Sequence, residues 1–405
     1  MNRRADSRTD QPLPMKGGAT APGGVTVMRY FSLAPILAVL VAGLSAGPVR
    51  AEDPPAPVVD VVLCLDVSGS MDHLIDSARG KLWDIVNDFA KVQPAPRLRV
   101  GLYSYGHDTY DPKKGWVRKE VDLTDDLDTV YQKLNGLTIN GGTEYVARVC
   151  RDALVEQKWS EDKKALRLIF VCGNEPADQD KEVTLEAVAK LAIEKDVIIN
   201  TIYCTWPRAV PGEVEGWENF AKKAEGRFAK IDMKKGTVAI ATPHDKKLEE
   251  LSAKINKTYV PYGKKEVREF KAQNQAEQDS NAAKAPGAAP ARAASKASAL
   301  YRSADWDLVD RLKEDPKFDV TKVPEEELCE ELRKLKPEER VAHVKKQLAE
   351  REAIQKEILE VSKQRGAYIK EEMKKDDKLG DKAFDEAVRG ALRAQASKKG
   401  FTIPD

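Results

Sequence analysis

The sequence predicts an α/β protein, with a doubly wound, mostly parallel sheet followed by a helical C-terminal region. Two observations lead to this fold class. Between residues 58 and 260, short continuous apolar runs alternate with amphipathic stretches, as expected of strand–helix–strand units whose strands are covered on both faces. Residues 300–405 are rich in charges and in helix-forming residues. The 405-residue chain is 41% hydrophobic, which is enough for a core of this size.

Residues 1–51 are predicted to be an N-terminal extension and a signal peptide, outside the folded part. Met28 and Arg29 give a basic start, an apolar run follows, and small residues lead to a cleavage site near Ala51. The alternative is an uncleaved membrane anchor, because the apolar run approaches a spanning length. We therefore expect a periplasmic or secreted protein, or one that this segment anchors in a membrane.

Five apolar or alternating runs are the predicted strands. Four are continuously apolar and are expected to be parallel: 58–66, 98–106, 166–173 and 197–204. The run at 116–123 alternates and is more polar, which is typical of an antiparallel edge strand. The helices predicted between them are the amphipathic stretches 75–91, 126–136, 144–157, 182–194 and 214–224.

The C-terminal third is predicted to contain a linker and a charged helical region. Residues 271–299 hold almost no large apolar side chains, so we predict a disordered Ala/Gln/Pro linker. Residues 300–405 are then helical, with one long helix from Pro337 to about Asp377 and a second at about 381–397. These two helices could form a hairpin, as in a coiled coil, or dock elsewhere, and the apolar stripe of the first is broken.

Composition argues against several functions. There are 67 Lys and Arg residues against 66 Asp and Glu residues, for a net charge of +1, so we expect no binding to nucleic acid. The four histidines, at 73, 107, 244 and 343, do not have the spacing of zinc ligands. The five cysteines, at 64, 150, 172, 204 and 329, form no CxxC pair and are expected to be structural.

Polar side chains follow the first predicted strand at the point where it ends. Asp66, Ser68 and Ser70 occupy alternate positions in a turn that contains Gly69. Sheets of this class bind ligands beyond the carboxyl ends of their strands, and carboxylate and hydroxyl oxygens suit Mg²⁺ or Mn²⁺. Asp and Ser are also ordinary turn and cap residues, so this motif alone leaves both interpretations open.

The wider pattern resembles the von Willebrand factor A domain family. The resemblance rests on "DVSGSM" after an apolar strand, on "GGTE" at 141–144 and on "WENFAKKAEGRFAKID" at 217–232, and it covers about residues 58–260. It implies a metal-ion-dependent adhesion site in which Asp66, Ser68, Ser70 and Thr143 are the metal ligands. It also implies an open coordination position that accepts an acidic group from a partner protein.

The third loop departs from the family pattern. The family has an aspartate directly after the fourth strand, whereas this chain has Gly173, followed by "NEPADQD". Asn174 or Glu175 is the expected substitute, ahead of Asp178 and Asp180. Fewer carboxylates around the ion would leave it more electrophilic toward an incoming acidic group.

The sequence thus predicts an exported protein that captures an acidic group of a protein partner through a divalent cation. We expect no enzyme, because the chain has no nucleophile elbow, phosphate-binding loop or HExxH motif. One alternative is an envelope scaffold that acts through its C-terminal helices beside a metal-free A-like domain. Another is a hydrolase with Ser68 or Ser70 as nucleophile and His73 as base. The sequence predicts no oligomeric state.

Overall fold

A six-stranded sheet organises the first half of the folded chain. The structure, a computed structural model, describes residues 56–205, 212–232, 239–375 and 384–402. The strands are β1 (Val58–Asp66), β2 (Arg97–Tyr105), β3 (Val117–Thr124), β4 (Leu166–Gly173), β5 (Ile198–Thr205) and β6 (Phe228–Asp232). Their order across the sheet is β3-β2-β1-β4-β5-β6. All neighbours are parallel except β2 and β3, which are antiparallel, so the predicted doubly wound sheet with an antiparallel edge is confirmed.

The continuous apolar runs arise because both faces of the sheet are covered. Along β1, Val61 and Leu63 pack into the core on one face, while Val62 and Cys64 pack into the core on the other. Every residue of β4 is buried. Edge strand β3 instead has only two buried positions among eight, as its alternating sequence indicated.

Helices cover the two faces of the sheet. The described helices of the sheet domain are α1 (Asp72–Phe89), α2 (Leu127–Asn135), α3 (Val146–Glu156), α4 (Leu185–Glu194) and α5 (Glu213–Lys223). Helices α3, α4 and α5 contribute to one core, and α1 and α2 contribute to the other. These five helices agree with the predicted ranges to within three residues.

Seven further described helices follow the sheet. They are α6 (Asp245–Asn256), α7 (Lys265–Lys284), α8 (Ala288–Ala297), α9 (Leu308–Glu314), α10 (Glu330–Arg333), α11 (Pro337–Lys375) and α12 (Phe384–Ala396). The two long helices predicted in the C-terminal region are therefore confirmed. They dock elsewhere: α11 packs against α6, α8 and α9, whereas α12 packs against α1 and the strands β4 to β6.

The prediction of a disordered linker at residues 271–299 is wrong. This segment forms most of α7 and all of α8, and α8 packs against α1 and α6. Alanine has the highest helix propensity, and its small side chain lets helices approach closely. Ala288 and Ala291 are buried in the same core as α1, so the lack of large side chains reflects close packing here.

The described residues after position 56 belong to one compact unit. All five cysteines are free, and four of them are buried. Within the described ranges, no helix is long and apolar enough to cross a membrane. The predicted signal peptide lies outside the residues that the structure describes.

Candidate cation site at the carboxyl edge of the sheet

The motif residues lie where the strand order of the sheet reverses. Strands β1 and β4 are neighbours, with Leu65 aligned to Cys172, so Asp66 ends β1 beside Gly173 at the end of β4. Loops that follow parallel strands on either side of such a switch point separate and leave a crevice for a ligand. The predicted site therefore has the position expected of a binding site in this fold.

Glycines bring the loops around this crevice into backbone contact. The amide of Asn140 donates to the carbonyl oxygen of Val67 at 3.1 Å. A Cβ on Gly69 would lie 3.4 Å from the backbone nitrogen of Gly141, and one on Gly142 would lie only 2.0 Å from the carbonyl oxygen of Gly106. The two glycines of "GGTE" thus hold the loop that carries Thr143 against the β1 and β2 ends.

Asp66 is fully buried, and only one of its two carboxylate oxygens accepts a hydrogen bond from the described residues. Its Oδ1 accepts a hydrogen bond from the backbone amide of Ser68 at 2.8 Å, and its Oδ2 has no hydrogen-bond partner among the described residues. Burial raises the pKa of Asp66 to about 7, because the charged form loses water and the Ser68 hydrogen bonds compensate only in part.

Two serines and an asparagine form a chain of polar contacts beside Asp66. The hydroxyls of Ser68 and Ser70 are 3.2 Å apart, and Ser70 donates to Asn174 Oδ1 at 3.1 Å. Asn174 is fully buried, and its Nδ2 has no partner within the described part of the chain. Of the substitutes predicted in the third loop, Asn174 is the one whose side chain contacts the serines.

Glu144, which follows Thr143 in the loop before α3, approaches the same space. Thr143 is half-buried. A Cβ on Gly106 would lie 3.0 Å from Asp66 Oδ1, 3.2 Å from Glu144 Cγ and 3.5 Å from Ser68 Cβ, so these three side chains line one space beneath the Gly106 backbone. Gly106 also has a positive φ of 86°, a conformation that favours glycine.

Glu144 also belongs to this site, although the sequence indicated it only as the last residue of the "GGTE" motif. It is 4% exposed, and its Oε2 accepts a hydrogen bond from Gln179 Nε2 at 3.2 Å. The same nitrogen donates to Glu175 Oε2 at 3.3 Å. Burial, followed by the nearby carboxyls of Asp66 and Glu175, raises the pKa of Glu144 to about 8. The available signal was its position next to Thr143.

An aspartate at position 173 would not fit this structure. A Cβ on Gly173 would lie 2.6 Å from Tyr105 Oη and 2.9 Å from Trp217 Cη2, and both of these side chains are buried. Tyr105 donates to the carbonyl oxygen of Cys172 at 2.8 Å, and Trp217 Nε1 donates to that of Glu175 at 2.7 Å. The packing therefore occupies the position where the family places its third-loop acid.

The other acids of the third loop do not reach the crevice. Asp180 forms a two-point ion pair with Arg148, with distances of 2.7 and 2.8 Å, and Asp178 is exposed. In the loop after β2, Asp108 accepts a hydrogen bond from Asn140 Nδ2 at 2.8 Å, whereas Asp111 caps a short helical turn. The side chain of His73 lies outside what the structure describes.

The donors present fit a small divalent cation. They are the carboxylate of Asp66, the hydroxyls of Ser68, Ser70 and Thr143, and the amide oxygen of Asn174, all hard oxygen donors of the kind that Mg²⁺ and Mn²⁺ prefer. The unpartnered Oδ2 of Asp66 is the strongest sign, because a buried, unpaired carboxylate costs several kcal/mol. No cluster of three or more His, Cys, Asp or Glu residues arranged for a metal occurs within the described residues, so neutral oxygens would contribute much of this site.

The fold and the crevice define an α/β domain with a ligand site at its switch point. Residues 61–174, from β1 to the third loop, match the family model of the von Willebrand factor type A domain. This part of the chain is a von Willebrand factor type A domain, as the sequence motifs predicted.

Several solved structures resemble part of this chain. No curated protein matched the chain. Solved structures that it resembles include an aerotolerance-related membrane protein from Bacteroides fragilis, with 16% identity, 43% of this chain and 92% of that chain covered, and a TM-score of 0.32. The von Willebrand factor A domain of SpRpn10 has 16% identity, coverages of 45% and 100%, and a TM-score of 0.34. Proximal thread matrix protein 1 of the mussel byssus, with a zinc-occupied MIDAS motif, has 15% identity, coverages of 44% and 43%, and a TM-score of 0.34.

Proposed function

We propose that the protein binds a protein partner through a divalent cation, Mg²⁺ or Mn²⁺, held at the carboxyl edge of its sheet. Asp66, Ser68, Ser70 and Thr143 hold the ion, and Asn174 supplies the third-loop oxygen. The ion accepts an acidic group of the partner. The observation that carries this proposal is the buried Oδ2 of Asp66, which lacks a partner among the described residues in the turn that also carries Ser68 and Ser70.

The chemistry of the crevice supports binding of an anionic group. A divalent ion is the largest local charge in such a site and attracts oxygen anions. Hydroxyl and amide donors carry no charge, so they leave much of the ion's charge uncompensated. We propose no catalytic role, since this binding requires no bond to be made or broken. The basic start, apolar run and small residues of 28–51 support export to the periplasm or to the medium.

Calorimetric titration of Mg²⁺ and Mn²⁺ into the full chain tests the metal site. Saturable binding is expected for the natural sequence and is expected to be lost in Asp66→Ala. The matched control is Asp178→Ala, which removes the same charge at an exposed position of the third loop and should bind like the natural protein. Equal binding by all three proteins would remove Asp66 from the proposal.

The scaffold alternative needs an experiment that leaves the C-terminal helices in place. A truncation at about Lys271 would remove α8 from α1 and expose buried residues of α1 such as Trp83, so loss of function in it would be uninformative. Partner capture by the full chain, with and without a chelator, separates the two proposals. Capture that survives chelation favours the scaffold.

The hydrolase alternative has its own test. In the structure, Ser70 donates to Asn174, and Ser68 contacts Ser70. A serine-directed phosphonate probe that labels the natural protein but not Ser68→Ala or Ser70→Ala would favour the hydrolase.

A further inference from the structure

We propose that Glu144 supplies a second carboxylate to the cation site and so takes over the role of the aspartate that position 173 cannot hold. This inference rests on the proposed function, because it names a further ligand of the same ion. It concerns a departure of this chain from its family, since the acid would come from the loop before α3 rather than from the loop after β4.

Loop geometry places Glu144 against Asp66. Glu144 directly follows Thr143 on the loop that Gly141 and Gly142 hold against the ends of β1 and β2. Its Cγ and the Oδ1 of Asp66 both border the small volume that a Cβ on Gly106 would fill. Since the side chains line one space, a cation that contacts the Asp66 carboxylate lies within reach of Glu144.

Neither carboxylate has a cationic partner in the protein. Within the described ranges, no ion pair to Lys, Arg or His involves Asp66 or Glu144. The partner of Glu144 there is the neutral amide of Gln179, and Asp66 accepts from a backbone amide. Buried acids are almost always paired, and the unpartnered Oδ2 of Asp66 independently favours a cation in this space.

Two neighbouring residues position Glu144. Gln179 Nε2 lies 3.2 Å from Glu144 Oε2 and 3.3 Å from Glu175 Oε2, so one amide group bridges the two acids. Glu175 is more exposed than Glu144, and its carbonyl oxygen is held by Trp217. We therefore assign Gln179 and Glu175 as positioning residues and Glu144 as the ligand. A second carboxylate beside that of Asp66 would favour tighter binding of the ion.

Binding of Mn²⁺ to the full chain, followed by electron paramagnetic resonance and by calorimetry, tests the inference. Four proteins are compared: the natural sequence, Asp66→Ala, Glu144→Gln and the control Glu186→Gln. Glu144→Gln keeps the size of the side chain and its acceptor for Gln179, whereas Glu186 is an exposed acid in the first turn of α4. We expect Glu144→Gln to weaken Mn²⁺ binding about tenfold or more and the control to leave it unchanged.

A second variant covers the case in which Glu144→Gln fails to fold, as judged by thermal unfolding in chelator. Glu144→Asp retains a carboxylate on a shorter side chain and is expected to bind Mn²⁺ with an affinity between those of the natural protein and Asp66→Ala. If Glu144→Gln, or the aspartate variant in its place, binds Mn²⁺ like the natural protein while Asp66→Ala does not bind, the inference is overturned and the proposed function stands. If the natural protein binds no Mn²⁺ at millimolar concentration, both are overturned.

Discussion

Acidic side chains are withdrawn from solvent in two regions of this molecule. In one region they have no cationic partner among the described residues, and in the other they form ion pairs. At the carboxyl edge of the sheet, Asp66 and Glu144 are buried without a cationic partner among the described residues. Where α7 and α8 pack on α1 and α2, Asp128 contacts Arg292 at 2.6 Å, and Asp279 contacts both Arg292 and Lys296, at 2.6 and 2.9 Å. Removing one partner of a buried ion pair is costly, whereas a buried acid without a cationic partner has a raised pKa and is available to bind a cation.

The paired region joins the C-terminal helices to the sheet domain. The Arg292 guanidinium, on α8, contacts Asp128 of α2 and Asp279 of α7, and it lies over the ring of Trp83 in α1 at 4.7 Å. Burial alone would raise the pKa of Asp279, but Lys296 and Arg292 hold that pKa below its usual value. One cation thus connects four helices.

Among the substitutions in these two regions, removal of Arg292 is expected to change the free energy of unfolding most. Arg292→Met would leave the buried Asp128 and the half-buried Asp279 with fewer partners and make this region resemble the unpaired one. We expect a loss of about 3–5 kcal/mol in the free energy of unfolding, measured by urea denaturation. Arg302→Met is the control, because its partner Glu314 is partly exposed and such a pair is worth about 1 kcal/mol or less. Equal losses in the two variants would contradict the comparison.

The two regions also differ in what could be predicted from the sequence. The strands were predictable because burial on both faces leaves a continuous apolar run, and Asp66, Ser68 and Ser70 were predictable because the end of β1 places them at the switch point. The helices at 271–299 were missed because alanines and buried polar side chains such as Arg292 resemble a linker in composition. Asn174 was predicted together with Glu175, and the contact with Ser70 distinguishes the two. The position of Glu144 beside Asp66 required the coordinates, because it depends on how the loops pack around Gly106.

Neutralising Asp66 in the unpaired region should increase the free energy of unfolding, whereas removing Arg292 should decrease it. At pH 8, above its pKa of about 7, Asp66 is largely ionised and unpaired when no metal is bound. Asp66→Asn removes that charge and keeps an oxygen for the Ser68 amide. We expect the metal-free variant to gain roughly 1–2 kcal/mol in the free energy of unfolding, measured by urea denaturation with chelator present. Addition of Mn²⁺ should stabilise the natural protein and not the variant. A loss of stability in chelator would mean that Asp66 is satisfied by the protein itself.

Substitution of Lys296 is expected to have the smallest effect on stability. It tests whether the contacts of the buried ammonium group fully replace its lost hydration. Burial lowers the pKa of Lys296 to about 8, although Asp279 acts in the opposite direction. The folded state therefore binds fewer protons than the unfolded state between about pH 8 and the usual lysine pKa of about 10.4, so this group makes the protein more stable as pH rises. Relative to Lys296→Met, the natural protein should gain about 1 kcal/mol between pH 7 and pH 9, measured as the difference between two urea denaturation series. A constant difference across this range would mean that Asp279, Asn256 and Ser252, which all contact the ammonium group, replace the lost water completely. Burial of the Lys296 ammonium group would then cost no free energy of unfolding, in contrast to burial of the unpartnered Asp66 carboxylate.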